Sequence, residues 1–171
     1  MRRSFVSVGL ALLVGVSSVQ AQSQQAQAAP AAPQQAAAPA ADPLRFTTDD
    51  AAVVIQVAAG KSADFEAGWA DMMKTMAASD KPGVKEMAAT MHMFKVKVDI
   101  PADQPSIYML NVTGTSKTLS YNYGKIIYYA GGEPAAAYAG IYPTQDAATA
   151  VYTKLKDAIA NITPWPLAKV G

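Results

Sequence analysis

The pattern of apolar and polar residues predicts alternating strands and helices from about residue 50 onward. The run from Ala51 to Val57 is apolar and β-branched and ends at Gly60, which is typical of a buried strand. Ser62 is then a predicted helix N-cap, with acidic residues in the first turn, where the helix dipole favours negative charge. Apolar residues recur at helical spacing up to about Ala78, at Phe65, Trp69, Met72, Met73 and Met76.

The middle of the chain predicts a second helix and a pair of strands. A short helical turn is expected over Val84 to Ala89. Residues 92–98 alternate with period two, so we expect a strand whose Phe94, Val96 and Val98 face the core. A turn with Pro101 and Pro105 follows, and Ser106 to Thr113 predicts a strand that is apolar on both faces. The two strands are expected to form an antiparallel hairpin.

The last third of the chain predicts three helices. Helical spacing covers Leu119 to Tyr129, and the small apolar residues from Ala135 to Tyr142 predict another short helix. Thr144 is a predicted N-cap for a third helix, which Pro164 then breaks. The tail after it could add a final short strand. The apolar stripe of this third helix is Ala148, Val151, Leu155, Ala158 and Ile162.

The order of the predicted elements is β-α-β-β-α-α, which indicates an α+β fold. A crossover from the first strand through the long helix gives the ferredoxin-like arrangement. We therefore expect a ferredoxin-like sandwich of three or four mostly antiparallel strands, with helices packed on one face.

The N-terminal part predicts an export signal and a linker. Arg2 and Arg3 precede an apolar run that is too short to span a bilayer, and a small-residue cleavage site lies between Ala21 and Gln22. We expect residues 1–21 to be a signal peptide, residues 22–43 to be a flexible Ala/Gln/Pro-rich linker, and residues 44–171 to be a single domain. The destination is the periplasm or the medium. The general secretory route is favoured, with twin-arginine export as the alternative.

Charge and cysteine content exclude several classes of partner. The chain has 14 Lys and Arg against 13 Asp and Glu, and loss of Arg2 and Arg3 with the signal leaves 12 against 13, a net charge of −1. A near-neutral chain without a basic cluster argues against nucleic-acid and anionic-membrane partners. The absence of cysteine excludes disulfides, thiol catalysis and the lipid-anchor cysteine of lipoproteins.

The residues that could carry chemistry are few. His92 is the single histidine, and neither a nucleophile motif nor a phosphate-binding glycine loop accompanies it. One histidine without cysteine makes a zinc site implausible, so we expect no metal. His92 is either an ordinary residue at the end of a strand, or a pocket proton donor or haem ligand. The acids are expected to point to water, and no catalytic residue is assigned.

Methionine and tyrosine are the two residue types that could form a binding site. Six methionines lie between Met72 and Met93, which indicates a soft core, a ligand pocket or a dimer seam. Seven of the eight tyrosines lie between Tyr108 and Tyr142, which indicates either amphipathic packing or an interaction surface. The candidate ligand-pocket or interface residues are Trp69, Met73, His92, Tyr108, Tyr121, Tyr123 and Tyr128.

Three short motifs carry a resemblance to known proteins. The segments Lys61–Glu66, Ser79–Pro82 and Met93–Lys95 resemble a group of small secreted bacterial proteins of unassigned function, over about Ala51 to Leu110. Strand order and size are also similar to the dimeric α/β-barrel superfamily. That second resemblance implies a homodimer whose subunits pair sheet to sheet.

The function that follows is binding without catalysis. We expect a non-enzymatic module for a small apolar or aromatic ligand, or for an envelope protein, with no cofactor. The alternative is a cofactor-free or haem-handling oxidoreductase of the dimeric α/β-barrel kind. It would use His92, or a tyrosine such as Tyr108 or Tyr123, in a pocket between helix and sheet.

Overall fold

Four strands and four helices follow one another along the chain in a computed structural model that describes residues 41–132 and 139–170. Residues Ala40–Gly171 cluster as one unit. The predicted signal peptide, its cleavage site at Ala21 and Gln22, and all but the end of the predicted linker lie outside the described residues. The elements are β1 (Asp50–Val57), α1 (Ser62–Ala77), α2 (Val84–Thr90), β2 (Met91–Lys95), β3 (Ser106–Thr113), α3 (Tyr123–Tyr129), α4 (Gln145–Ala158) and β4 (Ile159–Leu167).

The strands form one antiparallel sheet in the order β2-β3-β1-β4. β1 lies between β3 and β4, with Ile55 opposite Tyr108 on one side and Ile162 on the other. The connection from β1 to β2 passes through α1 and α2. It places β1 and β2 one strand apart, and β3 lies between them. This is the topology of the predicted ferredoxin-like sandwich, and the expected fold class is confirmed.

One face of the sheet packs against the helices and holds the core. Alternate residues of β1 and β3 lie on this face because side chains of a strand point to opposite sides in turn. The helices cover them with fully buried side chains such as Phe65, Met72 and Leu155. The buried residues of β1 and β3 on this face are Ala51, Val53, Ile55, Val57, Tyr108, Leu110 and Val112.

The predicted orientation of β2 is wrong. Met91 is buried and Met93 packs against the core, whereas Phe94 is 53% exposed on the opposite face. β2 also ends at Lys95, so Val98, which was expected to face the core, is 59% exposed beyond the strand. The cause is the direct junction of α2 with β2, which places Met91 under the helix layer.

Helix starts and ends were predicted with mixed success. Thr144 caps α4 as expected, since its hydroxyl accepts a hydrogen bond from the N–H of Ala147. Ser62, in contrast, is the first residue of α1, with Lys61 at the cap position, and its hydroxyl contacts that of Ser106 at 2.8 Å. The first half of the predicted helix over residues 135–142 lies outside the described residues, and its second half is not helical, since residues 140–144 are bends.

The segment after Leu119 and the segment after Ala158 also differ from expectation. α3 begins only at Tyr123, because the side chain of Asn122 accepts hydrogen bonds from Gly124 and Lys125. α4 ends at Ala158, and the chain then forms the nine-residue strand β4, which includes Pro164. An edge strand tolerates proline because the missing N–H can face away from the sheet.

Candidate functional site

The sheet face opposite the helices is the most distinctive surface of the described residues. We call it the open face. It is formed by the alternate strand residues that do not join the core cluster. In register across the sheet these are Trp165, Ala52, Asn111 and His92, then Thr163, Val54, Met109 and Phe94, then Asn161, Gln56 and Ile107.

Two aromatic side chains border the open face at its edges. Phe94 on β2 is 53% exposed and Trp165 on β4 is 51% exposed. Three strand spacings, about 14 Å, separate β2 from β4, and Phe94 and Trp165 lie on neighbouring rows of the sheet. Smaller side chains such as Ala52 and Val54 lie between them. The face therefore has an exposed aromatic side chain on each edge strand and a mixture of apolar and amide side chains between them.

The open face carries little charge. Its three rows hold apolar residues, amides, a threonine and His92, and the acidic Asp50 lies in the next row, opposite Leu167. A groove of about 440 Å³ continues the face at one end, between Ile107 and the β2–β3 loop, where Ile100 and Pro101 line it together with the charged Asp99. Exposed apolar area without charged residues is typical of the centre of a protein interface.

A polar cluster lies on the helix side of the same sheet. The hydroxyl of Tyr108 donates to Oε1 of Glu66 at 2.6 Å, and Nζ of Lys95 donates to the same oxygen at 3.0 Å. These hydrogen bonds, from Tyr108 first and Lys95 second, lower the pKa of Glu66. Burial, followed by the bond to Glu66, raises the pKa of Tyr108, and the bond to Glu66 raises that of Lys95. A tyrosine with a raised pKa is a poor general base at neutral pH.

The candidate tyrosines lie at separate places. Tyr121 is buried beside Phe46, with ring centres 5.7 Å apart, and its hydroxyl accepts the N–H of Ser116. Tyr123 and Tyr128 both contact Tyr152 of α4, at 5.7 and 5.3 Å between ring centres. Burial, and then the neighbouring Tyr152, raises the pKa of Tyr123. Tyr123 and Tyr128 thus join α3 to α4, Tyr121 packs beside Phe46, and none of the three belongs to the open face.

The remaining candidates are parts of the core. Trp69 is partly buried and stacks on Phe65 with ring centres 6.0 Å apart. Met73 packs at the margin of the core beside the fully buried Met72 and Met76. Of the three interpretations of the methionine cluster, a soft core, a ligand pocket or a dimer seam, the packing of these residues supports the soft core.

His92 is exposed on the open face, on the opposite side of the sheet from Tyr108. His92 therefore does not lie between helix and sheet, where the oxidoreductase alternative expects its reactive residue. Within residues 41–132 and 139–170, no group of three or more His, Asp or Glu side chains could hold a metal ion. In that same part of the chain, no helix is both long and apolar enough to span a membrane.

Sequence reasoning missed Trp165, Val54 and Met109 as surface residues of one face. The signal was present in β3, where the apolar pattern covers both faces and so implies a second contact surface. Trp165 lies between two prolines, and because this context predicts a break in regular structure, the sequence does not indicate the strand β4. Comparisons with protein-family models, curated proteins and solved structures gave no match for this chain.

Proposed function

We propose that this protein is an exported, non-catalytic protein-interaction module that works as a homodimer through the open face. The observation that carries the proposal is the pair of half-exposed aromatic residues, Phe94 and Trp165, that border an uncharged sheet face. Aromatic side chains are enriched in protein interfaces, and two of them exposed on one sheet face favour an interaction site there.

The size of the open face suits an interface between two copies. β1 and β3 each contain eight residues, so the sheet is about 27 Å long, and four strands make it about 19 Å wide. Its flat projection is about 500 Å² per copy, or about 1,000 Å² for a pair, which is near the lower limit for a specific interface. Aligned packing of two sheets is a common way to bury such faces.

Three sequence features support this proposal. The predicted signal peptide directs the domain out of the cytoplasm, and the predicted linker of residues 22–43 would leave it free to reach partners. The resemblance to dimeric α/β-barrel proteins also implies pairing of sheet faces. A small apolar ligand would bind in the groove beside Ile107 and Pro101, at the edge of the same interface.

The test is the mass of the mature protein, by light scattering or sedimentation, over a range of concentrations. Phe94→Ser and Trp165→Ser are expected to shift the protein toward monomer. Covering the exposed half of a Phe side chain removes about 100 Å² from water, an upper limit of about 2.5 kcal/mol per copy. We expect Kd to rise at least about tenfold.

Tyr129→Ser is the matched control, because Tyr129 is an exposed aromatic residue at 38% but lies on α3, in the helix layer. The control should leave Kd unchanged. A wild-type protein that stays monomeric at high concentration, or a Tyr129 variant that dissociates as readily as the Phe94 variant, would refute the proposed homodimer.

A further inference from the structure

The polar cluster of Glu66, Tyr108 and Lys95 joins a helix to the edge strand that carries Phe94. Lys95 is the last residue of β2 and follows Phe94 directly, so its side chain points to the helix side when that of Phe94 points to the open face. Its Nζ lies 3.0 Å from Oε1 of Glu66, which is 29 residues earlier on α1. The ion pair therefore ties the end of β2 to a helix that is distant in sequence.

The end of β2 has few other constraints. β2 is a five-residue edge strand that pairs with β3 alone. Beyond Lys95, the N–H of Val96 donates to the carbonyl of Ile107 at 2.9 Å, and the chain then enters the β2–β3 loop. A short edge strand of this kind opens locally more readily than a central strand.

The carboxylate of Glu66 is itself held in place. Tyr108 lies opposite Lys95 in the sheet register and is 2% exposed, and its hydroxyl donates to the oxygen that Lys95 contacts. The ring of Tyr108 lies 4.6 Å from that of Phe65, next to Glu66 on α1, and Nζ of Lys95 lies 5.5 Å from the centre of the Tyr108 ring. A charge-assisted bond to a fixed donor restricts the carboxylate more than an exposed ion pair alone would.

We propose that Glu66 is a positioning residue that, through Lys95 and Tyr108, fixes the end of β2 and so holds Phe94 in place on the open face. The effect on the end of β2 follows from the contacts of a single chain. Its consequence for association rests on the proposed homodimer.

The chain offers a closely matched control. Lys61 and Asp64 form an ion pair at 3.3 Å with side-chain exposures of 47% and 52%, and Lys95 and Glu66 have 48% and 52%. The Lys61 pair lies at the start of α1 and does not reach the sheet. Lys95→Met and Lys61→Met remove the same charge from equally exposed pairs while keeping an apolar stem.

The experiment is amide hydrogen exchange of the full-length mature protein, followed by NMR at a concentration where it is monomeric. The readout is the exchange rate of the Val96 amide, which reports the pairing of β2 with β3 just beyond Lys95. We expect Lys95→Met to raise this rate at least about twofold more than Lys61→Met does. A smaller difference between the two variants overturns the proposal.

Glu66→Gln is the second variant, for the case in which Lys95→Met does not fold. It keeps an acceptor for Tyr108 and removes the charge that holds Lys95, and the same threshold applies to it. Where dimers form, Lys95→Met should also raise Kd by about two- to fivefold with Lys61→Met unchanged. If the wild-type protein never associates, the proposed homodimer falls, whereas the exchange rates still decide the role of Glu66.

Discussion

Gly140 lies against the last turn of α3, and replacing it with alanine should strongly destabilise the domain. A Cβ at this position would overlap the carbonyl oxygen of Ile127 and stand 3.0 Å from the carbonyl carbons of Ile127 and Tyr128. These are backbone atoms of a helix, so they cannot rotate away as the end of a side chain can. The chain at Gly140 must instead retreat from α3 by about 1 Å.

Two interactions next to Gly140 set the size of the loss. The N–H of Ile141 donates to the carbonyl of Ile127 at 3.2 Å, and losing that bond costs about 1 kcal/mol. Tyr142 is 8% exposed and its hydroxyl donates to Asp71 at 3.1 Å, so a partial withdrawal costs about 1–2 kcal/mol. Alanine also reduces the conformational freedom of the unfolded chain, which stabilises the folded variant by about 0.4–1 kcal/mol. The expected net decrease in the free energy of unfolding is about 1–2.5 kcal/mol.

Urea unfolding, monitored by circular dichroism at fixed protein concentration, measures this decrease. Gly132→Ala is the control, since a Cβ there would lie 3.6 Å from the carbonyl oxygen of Tyr129, an ordinary contact. We expect that variant to be unchanged or more stable by up to about 1 kcal/mol. A Gly140→Ala protein within about 0.5 kcal/mol of the wild type would show that the segment moves freely from α3 and that the reasoning is wrong.

Three further predictions concern single contacts. Asn122→Ala removes the cap of α3 and should lower the free energy of unfolding by about 1 kcal/mol in the same urea assay, and an unchanged midpoint would contradict the capping role. Met72→Ala empties a fully buried site and should cost about 2–5 kcal/mol, more than the same change at the partly buried Met73; equal losses would count against the core assignment. Burial alone would raise the pKa of Asp42, but hydrogen bonds from Ser120 and the Leu44 N–H, together with Lys125, lower it overall from 3.8. The stability that Asp42→Asn removes is therefore fully present above pH 3.8 and is lost as the pH falls through the lowered pKa of Asp42 in the folded protein. Unfolding curves of the wild type and the variant should converge in acid, and curves that stay apart there would refute the assignment.

The local pattern of the sequence determined most of the individual elements. β3 has the bounds that were predicted, Ser106–Thr113, because β-branched and apolar residues fill it between clear turn residues. Thr144 predicted the start of α4, and the buried stripe from Ala148 to Ala158 followed from helical spacing. These features depend on neighbours within a few residues, so the sequence contains them directly.

The open face was not predictable because it depends on which side of β2 the helices cover. Met91 and Met93 alternate with His92 and Phe94, so both sides of the strand offer a large side chain, and periodicity alone does not choose between them. The junction with α2 decides it by placing Met91 in the core. Phe94 is left on the other face, as a consequence of tertiary packing.

The contacts that give the proposed site its shape join residues far apart in the chain. Glu66 meets Lys95 across 29 residues, and Trp165 comes opposite Ala52 only because β4 pairs with β1. Pro164 and Pro166 predict a break from sequence alone, yet an edge strand accommodates them. The sequence by itself determined most of the elements from β1 to α4, whereas the nine-residue strand β4 stands where the end of the last helix, up to Ile162, was predicted. The pairing of strands decided which side chains share the open face, because only the assembled sheet brings distant alternate residues into register.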